Sequence, residues 1–186
     1  MKTFVARPRA IPAVASVVAA VTFPAIVGGT TYTLAAWAAL CLLAAAIAVY
    51  DLATMLIPNR YTLGTLLVGV AEWLAVSGDP EALAVRAGGA LLLGGALWLF
   101  DMFYERLRGQ TGLGMGDIKL LGASALLVGI SGTGVQIMLA ASAALIFIAL
   151  RAMRLRRPLR AAAKVPFGTF IAPALVIVWA WLPAAW

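Results

Sequence analysis

The chain has no histidine, one cysteine and only seven acidic residues among 186. The first absence removes the commonest metal ligand and the commonest general base. The lone Cys41, inside the run Ala-Leu-Cys-Leu-Leu, excludes an intrachain disulfide and a cysteine-based zinc site, and it reads as a small buried hydrophobe. Charged residues make up 11% of the chain, against about 25% in a soluble domain. Hydrophobic residues make up 64%, and the mean hydropathy is +1.02. Lipid is therefore the expected solvent. Backbone in hydrocarbon must satisfy its own hydrogen bonds, and no barrel-like alternation at period two runs through the sequence. The expected spanning element is the helix.

Apolar stretches of the length needed to cross a bilayer fall at roughly 10–28, 33–50, 61–77, 83–101, 117–131, 134–151 and 166–184. They predict an all-α polytopic membrane protein, a bundle of about seven transmembrane helices forming one domain over residues 1–186. Pro24 interrupts the first stretch, and the fifth is short. Residues 1–28 share with signal peptides a basic start before an apolar run, but the run exceeds the usual length, so a retained anchor is expected. With the N-terminus cytoplasmic, every one of the 14 basic residues except Arg86 falls on the inner side: Lys2, Arg7, Arg9, Arg60, Arg106, Arg108, Lys119 and the run from Arg151 to Lys164. This is the positive-inside asymmetry of membrane proteins. The net charge of +7 then reflects topology and anionic lipid. The run from Arg151 to Lys164 has no interleaved aromatics and reads as a solvated loop, with no nucleic-acid partner. Trp73, Trp179, Trp181 and Trp186 fall near outer ends and Trp98 near an inner one, as interfacial belts would have them.

Two acids stand apart. Asp51 ends the second stretch in Tyr50-Asp51-Leu-Ala-Thr-Met-Leu-Ile57-Pro58-Asn59, and Asp117 opens the fifth in Gly112-Leu-Gly114-Met-Gly116-Asp117-Ile-Lys119-Leu-Leu. The topology brings both to the inner face, although two stretches separate them in sequence. Ionised carboxylates at the edge of a bilayer are expensive to keep, and two that meet across a bundle suggest acid–base chemistry on water. Each also has a purely structural explanation. Asp117 would cap a helix, which is favoured by about 0.3–1 kcal/mol. Asp51 would be an interfacial residue at a helix exit stopped by Pro58. Gly112, Gly114 and Gly116 permit close approach of another chain or unusual dihedrals. A phosphate cradle is disfavoured, since no Lys-Ser/Thr follows these glycines and no strand precedes them. Among the other acids, Asp79 and Glu81 fall in an outer loop, and Asp101 and Glu105 end the fourth helix near Arg106 and Arg108. Glu72, beside Trp73, reads as snorkelling or paired, and Gly88, Gly89, Gly94 and Gly95 read as helix-packing residues.

The word Asp51-x5-Ile57-Pro58-Asn59, the word Gly114-x-Gly116-Asp117-x-Lys119-Leu-Leu and the later Val165-Pro166-Phe167-Gly168 occur in that order. Together they resemble the type IV prepilin peptidases, which are membrane-embedded aspartic proteases, from about residue 35 to the end. The resemblance implies that Asp51 and Asp117 are the catalytic pair. It implies that Gly114, Gly116, Lys119, Pro58, Asn59, Pro166 and Gly168 form the active-site surroundings. It further implies a prepilin or pseudopilin substrate with a short basic leader, cut at the cytoplasmic face of the inner membrane just before a hydrophobic helix, with no metal or other cofactor. Larger members carry a cytoplasmic insertion with paired cysteines, associated with methylating the new N-terminus. This chain has neither, and it is similar to the short peptidase-only branch that processes Flp or tight-adherence pilins. The archaeal preflagellin peptidases are similar too. Presenilin and signal peptide peptidase use a Tyr-Asp word, a Gly-x-Gly-Asp word and a Pro-Ala-Leu word, and Tyr50-Asp51 and Pro173-Ala174-Leu175 occur here. Ile57-Pro58-Asn59 and Lys119-Leu120-Leu121 point away from that group, as does a span count two short of its nine.

A mechanism follows from charge. Two carboxylates a few ångströms apart cannot both ionise cheaply, so one keeps a proton. The ionised partner takes a proton from water, which attacks the scissile carbonyl. The protonated partner polarises that carbonyl and assists departure of the amine. The pair titrates as a unit, so the two roles are not divided between them. A proton-coupled transporter is the competing class, because intramembrane acids serve proton relays. Acids at the inner face instead of the midplane, and the lack of a convincing inverted repeat, count against it.

Overall fold

Helix is the only regular structure in the computed structural model, which describes residues 10–26, 30–76, 78–155 and 165–181. Six helices follow one another: α1 Ala10–Ile26, α2 Thr31–Thr54, α3 Asn59–Val76, α4 Pro80–Arg108, α5 Met115–Leu155 and α6 Gly168–Trp181. Local chemistry sets several of their ends. Thr30 caps α2 by accepting the Thr33 N–H at 3.2 Å. Asp79 caps α4 by accepting from Glu81 and Ala82, with Pro80 in the first turn, where its missing N–H costs nothing. Gly109 closes α4 in the left-handed region at φ 67. Lys2, Arg7, Arg9, Arg156, Arg157, Arg160, Lys164 and Trp186, all used above for orientation, lie outside the described residues.

The helix α5 does not run straight. At Gly129 the backbone takes φ 68 and ψ 176, a conformation essentially restricted to glycine. Gln136 Nε2 donates to Ser124 Oγ at 3.1 Å across that point. Along a straight helix the two residues would stand about 18 Å apart, so the chain must fold back on itself. The carbonyls of Leu126 and Leu127, freed at the break, accept from Arg86 Nη1 at 3.2 and 3.1 Å. Gln136 also donates to the Ile171 carbonyl at 3.1 Å, tying both arms, 115–128 and 130–155, to α6. The fifth and sixth expected stretches are thus arms of one helical element, and among the described residues the seven expected stretches become six helices. Three of these, Thr31–Thr54, Pro80–Arg108 and Met115–Arg154, are long and apolar enough to cross a membrane, and two shorter apolar helices accompany them.

The main core is built by α1, α2, α5 and α6. Leu40, Ile47, Leu120, Leu121, Ile171 and Val176 are among its fully enclosed members. Polar links cross it at the end far from Asp51, where Trp37 Nε1 donates to Thr22 Oγ1 at 2.8 Å and Trp181 Nε1 to the Val21 carbonyl at 3.3 Å. The α3 and α4 helices pack on α5 but barely meet each other, which leaves a gap between them. Because L residues rarely reach the Gly129 conformation, Gly129→Ala should cost about 1–3 kcal/mol. Thermal unfolding in detergent would then fall by roughly 2–10 °C. An unchanged melting temperature would show that the reversal does not depend on that dihedral.

Candidate active site

The last turn of α2 carries Asp51 into the bundle, where it is only 5% exposed. Its Oδ2 accepts the backbone N–H of Thr169 at 2.9 Å, and the Thr169 hydroxyl lies 3.4 Å from the same oxygen. That hydroxyl also donates to the Ala48 carbonyl at 3.1 Å. Since Gly168 and Thr169 open α6, the Asp51 carboxylate sits at a helix N-terminus, where free N–H groups favour an anion. The α2 helix ends immediately afterwards. Met55 turns left-handed at φ 54 and returns its N–H to the Asp51 carbonyl at 2.7 Å. Pro58 then leads into α3, its carbonyl accepting from Tyr61 at 3.0 Å.

Two glycines leave room for one side chain at this turn. A Cβ on Gly168 would fall 2.5 Å from Ile57 Cδ1 and 3.0 Å from Asp51 Oδ2. One on Gly116 would fall 3.0 Å from Ile57 Cβ. Ile57 is therefore wedged between the starts of α5 and α6, and a side chain at either glycine would have to displace it. Of the two roles open to Gly112, Gly114 and Gly116, close approach is the one they fill. Their backbones are not left-handed; among the described residues the glycines with positive φ are Gly78, Gly109 and Gly129.

Asp117 lies half-buried in the first turn of α5. A Cβ on Gly114 would stand 3.1 Å from its Oδ2, and the Gly114 carbonyl accepts from Ile118 at 3.1 Å. The other oxygen, Oδ1, is buried and has no hydrogen-bond partner among the described residues. The Asp51 and Asp117 carboxylates are near enough to interact electrostatically. Nearby, Lys119 Nζ donates to Asn59 Oδ1 at 3.1 Å and bridges α5 to the start of α3.

A third aspartate holds the loop in place. Asp101, 8% exposed, accepts the N–H groups of Gly112 and Leu113 on one oxygen, Oδ1, at 2.7 and 2.8 Å. These bonds fold the segment after Gly109 back onto α4 and fix the approach to Gly114 and Asp117. Gly112 is required there, since a Cβ would meet the Tyr104 ring at 2.9 Å. Sequence reasoning set Asp101 aside as part of a charged helix end, and it overlooked Ile57 and Thr169 as side chains of the site.

Asp51, Asp117, Gly114, Gly116 and Gly168 converge on one point, with Pro58 and Pro166 in the flanking turns and Lys119 and Asn59 at its rim. Tyr50 packs edge-on against Tyr61 with Arg60 over both rings, and Ala174 and Leu175 are core residues. Glu72, which reads as snorkelling or paired, interacts electrostatically with Arg86 at the opposite end, where that guanidinium lies 4.0 Å above the Trp73 ring.

An apolar helical bundle that gathers two aspartates at one end defines a membrane protein with an acid-pair site. The chain belongs to the type IV leader peptidase family, whose model matches residues 38–150. The match contains Asp51, Asp101 and Asp117 but stops before the Val165–Gly168 word. No curated protein and no solved structure matches the chain.

Proposed function

We propose that this protein is an aspartic endopeptidase of the inner membrane that removes the short basic leader of prepilin-like precursors. The observation that carries this reading is the meeting of Asp51 and Asp117. They come from separate helices and interact at one end of the bundle, within a chain of a peptidase family. A water molecule between the two carboxylates gives up a proton to the ionised one and attacks the scissile carbonyl. The protonated carboxylate hydrogen-bonds the carbonyl oxygen and then donates to the leaving amine. The pair takes one proton from water and gives one to the amine, so it ends with the single proton it began with, and no covalent intermediate forms.

The cytoplasmic orientation is supported by charge. Among the described residues, Arg60, Arg106, Arg108, Lys119, Arg151 and Arg154 belong to the aspartate end, and Arg86 to the other. The substrate would therefore come from the cytoplasm, and only the leader is removed, without methyl transfer. Purified protein should convert a prepilin precursor to a product whose mass places the cut just before the apolar helix, without the added mass of a methyl group. An uncut precursor, or a cut inside the apolar helix, would overturn the proposal.

A further inference from the structure

The gap between α3 and α4 is a cavity of about 870 Å³, floored by the first arm of α5. Its walls are apolar, with Leu63, Leu66 and Val70 on one side, Leu91 and Trp98 on the other, and Ala123 below. Along α4 it extends from Leu83 to Trp98, about 22 Å at 1.5 Å per residue, or some two-thirds of a hydrocarbon core. That length suits a helix better than a compact ligand. Small residues at Ala87, Ala90, Gly94, Gly95 and Gly122 let another helix approach closely.

Its position indicates what lies in it. The groove is continuous with the acid pair, because Met115, Ile118 and Lys119, which flank Asp117, line its end. An apolar helix whose preceding peptide bond must reach Asp117 has in this groove a path that leads there.

We infer that the α3–α4 groove seats the apolar helix of the precursor, N-terminus toward Asp117, so that the peptide bond preceding the helix lies at the acid pair. The inference rests on the peptidase reading. It adds a docking surface, and it makes the length and smoothness of the substrate helix determinants of cleavage.

The full chain in membranes, with a co-expressed prepilin precursor, provides the test. Gly95 and Gly88 share α4, and a Cβ at either meets nothing within 4 Å, but only Gly95 lines the groove. Gly95→Leu is expected to lower kcat/KM by on the order of ten- to a hundredfold, mainly through KM, as overfilling a packed site does. Gly88→Leu should cleave as the wild type does. Because Gly95→Leu also risks the fold, a photo-crosslinking residue at Leu91 in the Asp117→Asn variant gives a second measurement. It should capture the precursor's apolar helix, while the same residue at Leu145, on the other arm of α5, should not. Equal cleavage by the two leucine variants, or Leu91 adducts with lipid alone, overturns the groove assignment and leaves the peptidase reading standing. A wild-type chain that leaves the precursor whole overturns that reading, and the groove's occupant with it.

Discussion

Asp51→Asn and Asp117→Asn should each reduce prepilin cleavage to background while the protein accumulates in the membrane at its normal level. Asparagine keeps the shape of the side chain and a carbonyl oxygen, so at position 51 it still accepts the Thr169 N–H that Asp51 takes at 2.9 Å. What it loses is the ability to hold and release a proton. General acid–base steps contribute about 10²–10⁴-fold in rate, and in the proposed mechanism the two carboxylates share one proton, so each single change should cost that much. The double variant should be little worse than either single one, because residues that act as a unit are not additive. The rival explanation predicts the opposite. If Asp51 only capped α6, and Asp117 only the start of α5, asparagine would serve nearly as well, being among the best capping residues. Full activity in either variant would sink the catalytic assignment and favour the capping one.

The same comparison shows what the sequence made legible. The carboxylate pair was readable because charge is costly in an apolar chain and the topology returns α2 and α5 to one end. The glycines announced close packing, but not that Ile57 is the side chain packed between Gly116 and Gly168, since that contact joins three segments far apart in sequence. The fold-back at Gly129 lay within two apolar runs that are separately visible. Their joining into one element depends on Arg86, which takes the carbonyls of Leu126 and Leu127 from another helix. Asp101 was missed for a different reason. The charged cluster of Glu105, Arg106 and Arg108 four residues on drew it into a solvated helix end. Its own neighbours, Trp98 to Phe100 on one side and Met102 to Tyr104 on the other, are apolar or aromatic. The rule that singled out Asp51, that an ionised carboxylate in apolar surroundings is expensive to keep, applies equally to Asp101, where hydrogen-bond donors offset the cost.

That rule leads to the second large effect. Asp101→Ala should lower prepilin cleavage by on the order of a hundredfold, whereas Asp101→Asn should retain most of it. The alanine removes the one oxygen that accepts from both Gly112 and Leu113 at 2.7 and 2.8 Å. Hydrogen bonds to a charged group are worth about 1.5–3 kcal/mol each, enough to release the loop from α4. Asp117 follows that loop by a few residues, and a misplacement of about 1 Å at a reacting group is sufficient for a hundredfold loss. Asparagine supplies a neutral carbonyl at the same position and keeps both bonds in weaker form. Hydrogen exchange at Gly112 and Leu113 should therefore rise strongly in the alanine variant and slightly in the asparagine one, tracking activity. Asparagine thus separates three aspartates at one end of the bundle by what each oxygen does. At positions 51 and 117 the proton should matter and asparagine should fail; at 101 only the acceptor should matter and asparagine should suffice. Wild-type kinetics in Asp101→Ala would show that the loop holds its course without this anchor. Equal loss in Asp101→Ala and Asp101→Asn would place the negative charge itself, and not the acceptor, in control of the loop.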